Sequence, residues 1–236
     1  MPRRYSLQIA IDVVDESQAL RIAGIVGDIC RNRLVECDRL IVEAGTPLIK
    51  LLGLTILPKL KLASPGIPLV ADLKIADVGK LEAGLAYGLQ ADSVSVLALA
   101  PRSTLKSVLE TGIEYGKGVV VDFIGVSDLR TRAEVVVGLV REVSFPEEDL
   151  VFEFHRGIDE EKGRPAEEFF REVVHVAEYV RKTLPRSKIA VAGGLTPQLK
   201  QEIRALLEAD IYVVGRYITS SPTVERILEF FNDRND

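Results

Sequence analysis

The sequence predicts an α/β fold in which eight βα units close into a single (β/α)8 barrel, the architecture called a TIM barrel. Short β-rich runs alternate with longer segments whose apolar residues recur at three- and four-residue spacing, and eight such cycles follow one another. The chain has 236 residues, close to the roughly 250 that are typical of this architecture. Hydrophobic residues make up 47% and charged residues 28%, which is enough for one large core under a charged surface. We therefore expect residues 1–236 to form one domain.

The predicted elements follow from these patterns in chain order. The strands are the apolar runs at residues 7–12, 40–43, 69–74, 93–98, 118–123, 150–155, 189–192 and 211–214. Helical spacing is clearest over residues 17–29, 80–87, 103–113, 166–184 and 222–231. The second unit is irregular, because Gly53, Pro58, Pro65 and Gly66 interrupt any single long helix. A doubly wound open sheet is the alternative, although no GxGxxG follows the first strand.

Composition and charge exclude several classes of function. The formal net charge of −5 argues against broad affinity for nucleic acid, which needs an electropositive face. No apolar run approaches the roughly 20 residues of a membrane-spanning helix, and the first residues lack the apolar region of a secretion signal. We expect a cytoplasmic protein with a small-molecule partner. Cys30 and Cys37 match neither a CxxC redox pair nor a four-ligand zinc pattern, so we expect structural thiols.

Charged residues end five of the eight predicted strands. In a parallel barrel the strands should be almost wholly apolar, and chemistry is concentrated at their C-terminal ends. A solvated strand end or a helix cap would explain any one of these residues, but five on one rim indicate a site. They are Asp12, Glu43, Asp72 with Lys74, Asp122, and His155.

The third strand carries the most informative motif, a DxKxxD formed by Asp72, Lys74 and Asp77. Residues two apart in a strand share a face, so Asp72 and Lys74 both point into the predicted barrel mouth, while Asp77 falls in the following loop. Such a pair can hold its members charged and polarise a sugar hydroxyl or carbonyl. The alternative is an ion pair that merely closes the end of the barrel.

Two further features of the predicted rim suggest a metal and an acid–base group. Glu43 and Asp72 end adjacent strands, so their carboxylates could share one hard cation such as Mg2+, although two carboxylates alone are a weak metal signal. His155 at the sixth strand end could act as a general acid or base near neutral pH, and a capping or core histidine is the alternative.

The last two strands end in glycine-containing turns. Glycines after strands seven and eight let backbone amides approach a ligand, and barrels frequently build a phosphate site there. Gly193, Gly194, Gly215 and Arg216 are the predicted cradle, with Arg216 as the charged partner of the phosphate. A plain turn is the alternative.

These residues together resemble a known family. The chain is similar to the orotidine 5'-monophosphate decarboxylase suprafamily, and within it to the 3-hexulose-6-phosphate synthase branch, over nearly its whole length. The resemblance rests on five runs, EAGTPLIK at 43–50, ADLKIADVGKLEAG at 71–84, HRGID at 155–159, VAGGLTP at 191–197 and VVGRYIT at 213–219.

The resemblance implies a ribulose-phosphate-binding type of barrel and a magnesium-dependent aldol reaction. In that reaction D-ribulose 5-phosphate and formaldehyde are interconverted with D-arabino-hex-3-ulose 6-phosphate. By the same resemblance His155 transfers the proton and Lys74 supplies positive charge near the enediolate oxygens, while Asp12 binds substrate hydroxyls. It also implies that Asp77 reaches the site of a neighbouring subunit in a homodimer.

Two decarboxylase branches remain as alternatives. The orotidine 5'-monophosphate decarboxylases normally have a lysine where this chain has Glu43, which argues against that branch. The 3-keto-L-gulonate 6-phosphate decarboxylases usually have an arginine where this chain has Ile158, but they share an arginine at the position of Arg156. A sugar-phosphate-binding protein without catalytic activity is the alternative from a different functional class.

Overall fold

A computed structural model describes residues 4–157, 159 and 165–232 of the chain. Eight parallel strands form a closed barrel in sequence order, and β1 pairs with β8 to complete the closure. The predicted (β/α)8 barrel is therefore confirmed, and the open sheet is excluded. The strands are β1 Ser6–Ile11, β2 Leu40–Ala44, β3 Leu69–Ile75, β4 Ser93–Leu97, β5 Gly118–Asp122, β6 Leu150–His155, β7 Lys188–Ala192 and β8 Ile211–Val214.

The helices pack around the outside of this barrel. Side chains of Asp15, Asp128, Thr196 and Thr223 accept a hydrogen bond from a backbone N–H of the first turn that follows them, which fixes where four of the helices begin. The helices are α1 Glu16–Arg31, α2 Thr46–Leu52, α3 Ile56–Ala63, α4 Gly79–Gly88, α5 Arg102–Tyr115, α6 Leu129–Val143, α7 Ala166–Thr183, α8 Pro197–Leu206, α9 Arg216–Thr219 and α10 Val224–Leu228.

Two helical segments differ from a simple repeat. The second unit is split into α2 and α3 at Gly53, whose positive φ of 71° ends α2, as the glycine and proline pattern predicts. The predicted helix at 222–231 is shorter, because only Val224–Leu228 is helical. No helix among the described residues is both long enough and apolar enough to cross a membrane.

The apolar core has two parts. The larger part lies between the outer faces of the strands and the helices. The smaller part fills the barrel interior with aliphatic side chains that alternate along each strand with the outward ones. Its members are Ala10, Val70, Val120, Val151, Ala190, Ala192, Ile211 and Val213. The interior positions nearer the C-terminal ends of β2, β3, β5 and β6 are polar, and they form the site described below.

The cysteines correct one expectation from the sequence. Cys30 at the end of α1 and Cys37 just before β2 form a disulfide, with 4.9 Å between their Cα atoms. The prediction of structural thiols was wrong, because the turn after α1 brings two cysteines together whose spacing of seven residues matches no motif.

Candidate active site

Strand alternation brings the charged side chains together at the C-terminal mouth of the barrel. Each predicted strand-end residue on β2, β3, β5 and β6 points to the interior, since its neighbours two residues earlier also face inward. Asp12 lies one residue beyond the end of β1. The cluster at the mouth contains Asp12, Glu43, Asp72, Lys74, Asp122, Glu153 and His155.

Asp72 is held by three neighbouring side chains. Oγ of Ser95 donates to its Oδ1 at 2.6 Å, and Oγ1 of Thr46 donates to its Oδ2 at 2.6 Å. Nζ of Lys74 lies 3.2 Å from its Oδ1. These donors come from β4, from the start of α2 and from β3 itself, so three elements fix one buried carboxylate.

Lys74 occupies a strained position in β3. Its φ is +47°, a conformation that non-glycine residues rarely adopt, and the register of β3 against β4 shifts between Ala71 and Ile75. The backbone N–H of Lys74 donates to Oγ of Ser95 at 2.8 Å instead of to a strand carbonyl. Strain of this kind is retained where the surroundings over-determine it, and here it directs the ammonium toward β5.

The ammonium of Lys74 lies between two carboxylates. Its Nζ donates to Oδ2 of Asp122 at 2.6 Å. Burial alone would lower the pKa of Lys74, but the charges of Asp72, Asp122 and Glu153 outweigh it and raise that pKa above its ordinary value. The site therefore keeps a fixed positive charge near neutral pH.

Asp122 also faces His155. Nδ1 of His155 lies 3.4 Å from Oδ2 of Asp122, and the backbone N–H of Ile124 donates to Oδ1 at 2.9 Å. Burial alone would raise the pKa of Asp122, but the contacts with His155 and Lys74 lower it. Asp122 is thus an ionised group that orients both the ammonium and the imidazole.

Glu153 belongs to the same cluster, although the strand-end reasoning did not select it. It lies on β6 two residues before His155, and its Oε1 is 3.6 Å from Nδ1 of that histidine. Burial raises the pKa of Glu153 well above its usual range, and the charges of Asp122 and Glu43 add to this effect. The alternation that places Asp72 and Lys74 on one face applies equally to Glu153 and His155 and could have identified it.

Glu43 is buried beside like charges. Burial raises the pKa of this carboxyl well above its ordinary value, and Asp72 and Asp12 raise it further. Nε2 of Gln8 on β1 donates to its Oε2 at 2.6 Å. Gln8 was not selected from the sequence, because it lies in the middle of an apolar strand and not at its end.

Asp12 is seated between two glycines at the mouth. A methyl group on Gly215 would lie 3.0 Å from Oδ2 of Asp12, and one on Gly45 would overlap Oδ1. Partial enclosure by the protein and the charge of Asp72 raise the pKa of Asp12, against the lowering effect of nearby Arg216. Gly215 therefore makes room for Asp12, a role beyond the predicted cradle.

The predicted cradle lies at the ends of β7 and β8. Gly193 and Gly194 have positive φ angles of 112° and 63°, which favour glycine. A Cβ on Gly193 would also overlap the backbone carbonyl oxygen of Arg156, so the close approach of these two backbones requires glycine. Gly215 and Arg216 follow β8, with Arg216 exposed at the mouth.

Asp77 does not join this cluster within the described chain. Its Oδ1 accepts the backbone N–H of Val78 at 2.8 Å, and the residue is exposed in the loop between β3 and α4. Ile158, which bears on the choice between branches, lies outside the described residues.

The donors at the mouth fit a divalent cation. The charge of Asp72 contributes to the raised pKa of both Asp12 and Glu43, and a hard cation with oxygen ligands would relieve that repulsion. Among the described residues, the three-residue group whose ligand atoms all lie within 4.8 Å of one another is a different one, formed by Asp122, Glu153 and His155. The ammonium of Lys74 contacts both groups, at 2.6 Å from Asp122 and 3.2 Å from Asp72. The two groups differ in their donors, since Glu43 and Asp72 offer only the oxygen ligands that Mg2+ accepts, whereas the other group includes an imidazole.

Comparison with known proteins finds a family match and related enzymes. Residues 5–229 match the family described as "Orotidine 5'-phosphate decarboxylase / HUMPS family". A "Bifunctional enzyme Fae/Hps" from Methanospirillum hungatei is 34% identical over 226 residues, which is 95% of this chain but 51% of that protein. The chain therefore spans about half the length of this relative.

Two solved structures agree with this relationship. A structure of 3-hexulose-6-phosphate synthase is 32% identical with a TM-score of 0.76, covering 95% of this chain and 97% of that one. The synthase from Salmonella typhimurium is 29% identical with a TM-score of 0.75, covering 95% and 96%. The match to the family over residues 5–229 shows that this chain belongs to the orotidine 5'-phosphate decarboxylase / HUMPS family.

Proposed function

We propose that this chain is an aldehyde-lyase of the 3-hexulose-6-phosphate synthase type. It interconverts D-ribulose 5-phosphate plus formaldehyde with D-arabino-hex-3-ulose 6-phosphate. The observation that carries this proposal is the buried carboxylate pair of Glu43 and Asp72 beside the ammonium of Lys74. The identity of about a third to synthases of known structure supports it.

The reaction needs a base, and His155 is the proposed proton carrier. Its Nδ1 faces Asp122 at 3.4 Å, so a proton held on Nδ1 leaves the other ring nitrogen free to accept one. Removal of the C1 proton of ribulose 5-phosphate forms an enediolate, which attacks the formaldehyde carbon to make the new C–C bond. The aldehyde oxygen then takes a proton, so the atoms balance without any further reactant.

Negative charge develops on the enediolate oxygens during the reaction and must be stabilised there. Mg2+ held by Glu43 and Asp72 would supply a Lewis acid to the enediolate oxygens. Lys74 donates a hydrogen bond and a fixed charge to the same region, because its raised pKa keeps it protonated. Asp12, at the mouth between two glycines, accepts hydrogen bonds from substrate hydroxyls.

The phosphate of the substrate is proposed to bind at the ends of β7 and β8. Gly193 and Gly194 present backbone amides at positive φ, and Arg216 offers a guanidinium at the open mouth. The match between phosphate and guanidinium geometry makes Arg216 the main source of affinity for the sugar phosphate.

A homodimer is proposed for the working enzyme. Val78 and Leu81 are 54% and 62% exposed, and Leu85, one turn further along α4, is 51% exposed. A second copy covering this face would bring Asp77 of one subunit to the mouth of the other. Mixing Asp77→Ala with Lys74→Ala should restore roughly a quarter of wild-type activity, since one site in half of the dimers is then intact. A mixture that stays inactive would contradict shared sites.

The second candidate is a 3-keto-L-gulonate 6-phosphate decarboxylase, which forms the same kind of enediolate from a β-keto acid. Arg156 favours it, because this branch shares an arginine at that position. In this chain the residue is buried just after β6, beside Gly193. An orotidine 5'-monophosphate decarboxylase-like enzyme is disfavoured by Glu43.

The test is a coupled assay of ribulose 5-phosphate and formaldehyde with Mg2+. Consumption of formaldehyde that is lost in EDTA and in Asp72→Ala supports the aldolase. CO2 release from keto-gulonate phosphate, without formaldehyde consumption, would move the chain to the decarboxylase branch. Asp28→Ala, which removes an exposed carboxylate of α1 outside the site, is the matched control and should stay active.

We also propose that the enzyme works in the cytoplasm as one catalytic domain over residues 1–236. Disulfides are rare in cytosolic proteins except in those of hyperthermophiles, so the bond between Cys30 and Cys37 makes a heat-adapted cell the expected context. Alkylation of protein taken directly from its cells should then find both thiols blocked.

A further inference from the structure

Gln8 lies in the barrel interior one layer below the site. It is on β1, where Ala10 stands level with Glu43 and Gln8 stands level with Ile41. Its side chain is only 2% exposed. To reach Glu43 the amide must extend upward along the barrel axis by one interior layer, and it does so with a 2.6 Å hydrogen bond from Nε2 to Oε2.

The strand positions around Gln8 in the barrel interior are mostly aliphatic. They include Ile41, Val70 and Val120, whereas charged residues such as Asp92 and Lys188 line the space nearer the N-terminal end. Burying an amide costs free energy unless it is hydrogen-bonded, and leucine or methionine would occupy this place without that cost. The bond to Glu43 is the one hydrogen bond of the Gln8 side chain within the described part of the chain. The polar group at this position is therefore explained by Glu43.

Glu43 depends on the same bond. The charges of Asp72 and Asp12 repel it, against the smaller attraction of Lys74, and within the described residues Gln8 is the side chain that donates to it. One carboxylate oxygen is thereby held toward β1. Without the amide, the carboxylate is free to turn away from the like charge of Asp72, and the two acids no longer face a shared cation.

The space beneath Gln8 does not hold it in place. A cavity of about 500 Å³ opens at the N-terminal end of the barrel and reaches Gln8 from below. Its lining includes Gly118, Lys188 and Ile211, the first residues of β5, β7 and β8. Because this side is not close-packed, the orientation of the amide is set by its hydrogen bond, and substitutions can be accommodated without a clash.

We propose that Gln8 is a positioning residue that fixes the carboxylate of Glu43 for cation binding from the interior layer beneath the site. The inference rests on the proposed metal-dependent function, but it concerns metal binding, which can be measured without substrate. Partners that orient a metal ligand typically change metal affinity by roughly 10- to 100-fold when they are removed.

The experiment measures Mn2+ binding to substrate-free protein by electron paramagnetic resonance, with the melting temperature of each variant recorded beside it. Gln8→Met keeps the bulk and loses the amide, whereas Gln8→Asn keeps the amide and loses the reach. Ile211→Val, which alters the wall of the same cavity without a polar contact, is the control. Glu43→Gln tests whether the bound Mn2+ depends on the carboxylate of Glu43.

We expect Gln8→Met and Gln8→Asn each to weaken Mn2+ binding by about tenfold while Ile211→Val leaves it unchanged. In the activity assay the Mg2+ concentration for half-maximal rate should rise by a similar factor, with the rate at saturating Mg2+ largely kept. Wild-type Mn2+ affinity in a folded Gln8 variant would overturn the inference. It would also be overturned if Glu43→Gln bound Mn2+ as tightly as the wild type, or if the wild type bound no Mn2+. A wild type that binds Mn2+ through Glu43 but consumes no formaldehyde would refute the proposed function alone.

Discussion

The ammonium of Lys74 on β3 lies 2.6 Å from Oδ2 of Asp122 on β5, two strands further around the barrel. The contact spans the mouth and depends on the irregular backbone of β3, where Lys74 has a φ of +47°. It links Asp122, which faces His155, to the carboxylate of Asp72 on the other side of the mouth.

Replacing Asp122 should damage both stability and catalysis. In Asp122→Ala the partly buried ammonium of Lys74 loses its shortest ion pair and keeps Asp72 at 3.2 Å, and Nδ1 of His155 keeps only the more distant Glu153 carboxylate. We expect the free energy of unfolding to fall by about 3 kcal/mol and kcat to fall at least roughly 100-fold. Urea denaturation and steady-state kinetics measure the two effects. Glu142→Ala, which removes an exposed partner of Lys106, should change neither by much, and a stable, active Asp122→Ala would refute the role of this pair.

Glu153 should make stability depend on pH above the ordinary glutamate range. Because the folded state raises the pKa of Glu153, it retains a proton that the unfolded chain releases above about pH 4.3. The free energy of unfolding is therefore lost progressively as the pH rises from there toward the folded pKa. Glu153→Gln removes this loss, so it should stabilise the protein relative to wild type at pH 8, by on the order of 1–2 kcal/mol, and give no gain near pH 4. Thermal melts at the two pH values decide it, and an equal effect at both would contradict the burial of a shifted acid.

The disulfide should contribute measurable stability. It closes a loop with a sequence separation of seven residues, for which restriction of the unfolded chain is worth about 2 kcal/mol. Cys30→Ser with Cys37→Ser, and wild type in reductant, should both show this loss in guanidinium titrations. Reductant should leave the double variant unchanged, and a wild type insensitive to reductant would argue that the bond does not form.

Lys200 should stabilise the packing of the residue before β1, Tyr5, against the segment that follows α10. It is fully buried, and its Nζ donates to the Tyr5 hydroxyl at 2.7 Å and to the carbonyl oxygen of Phe230 at 2.8 Å. Its ammonium also lies 4.1 Å from the centre of the Tyr5 ring. Lys200→Met should lower the free energy of unfolding by about 2 kcal/mol without changing KM. Lys182→Met, at an exposed position on α7, is the surface control. Equal stability of the two variants would contradict the stabilising role of Lys200.

The repeating pattern of the sequence was sufficient to predict the barrel. Parallel strands with continuous apolar runs and glycine or proline breaks are local features, so the eight units could be found without knowing how they close. The residues on the rim followed from the same rule, since Asp72, Lys74 and His155 end strands and meet at one mouth.

Other parts of the site depend on contacts that no local pattern encodes. Gln8 and Glu153 lie inside strands, and their importance comes from neighbours on other strands, Glu43 and His155. The positive φ of Lys74 and the position of the Asp12 side chain between two glycines likewise arise from tertiary packing. The pairing of Cys30 with Cys37 was missed because the turn geometry, and not the spacing, brings them together.

The most direct test of the aldolase proposal follows the carbon of formaldehyde. Wild-type protein with ribulose 5-phosphate, Mg2+ and 13C-labelled formaldehyde should transfer the label into a new hydroxymethyl group at C1 of a hexulose phosphate, detected by NMR. The transfer should be absent in His155→Ala. Label that remains in free formaldehyde, with active protein and saturating Mg2+, would contradict the account.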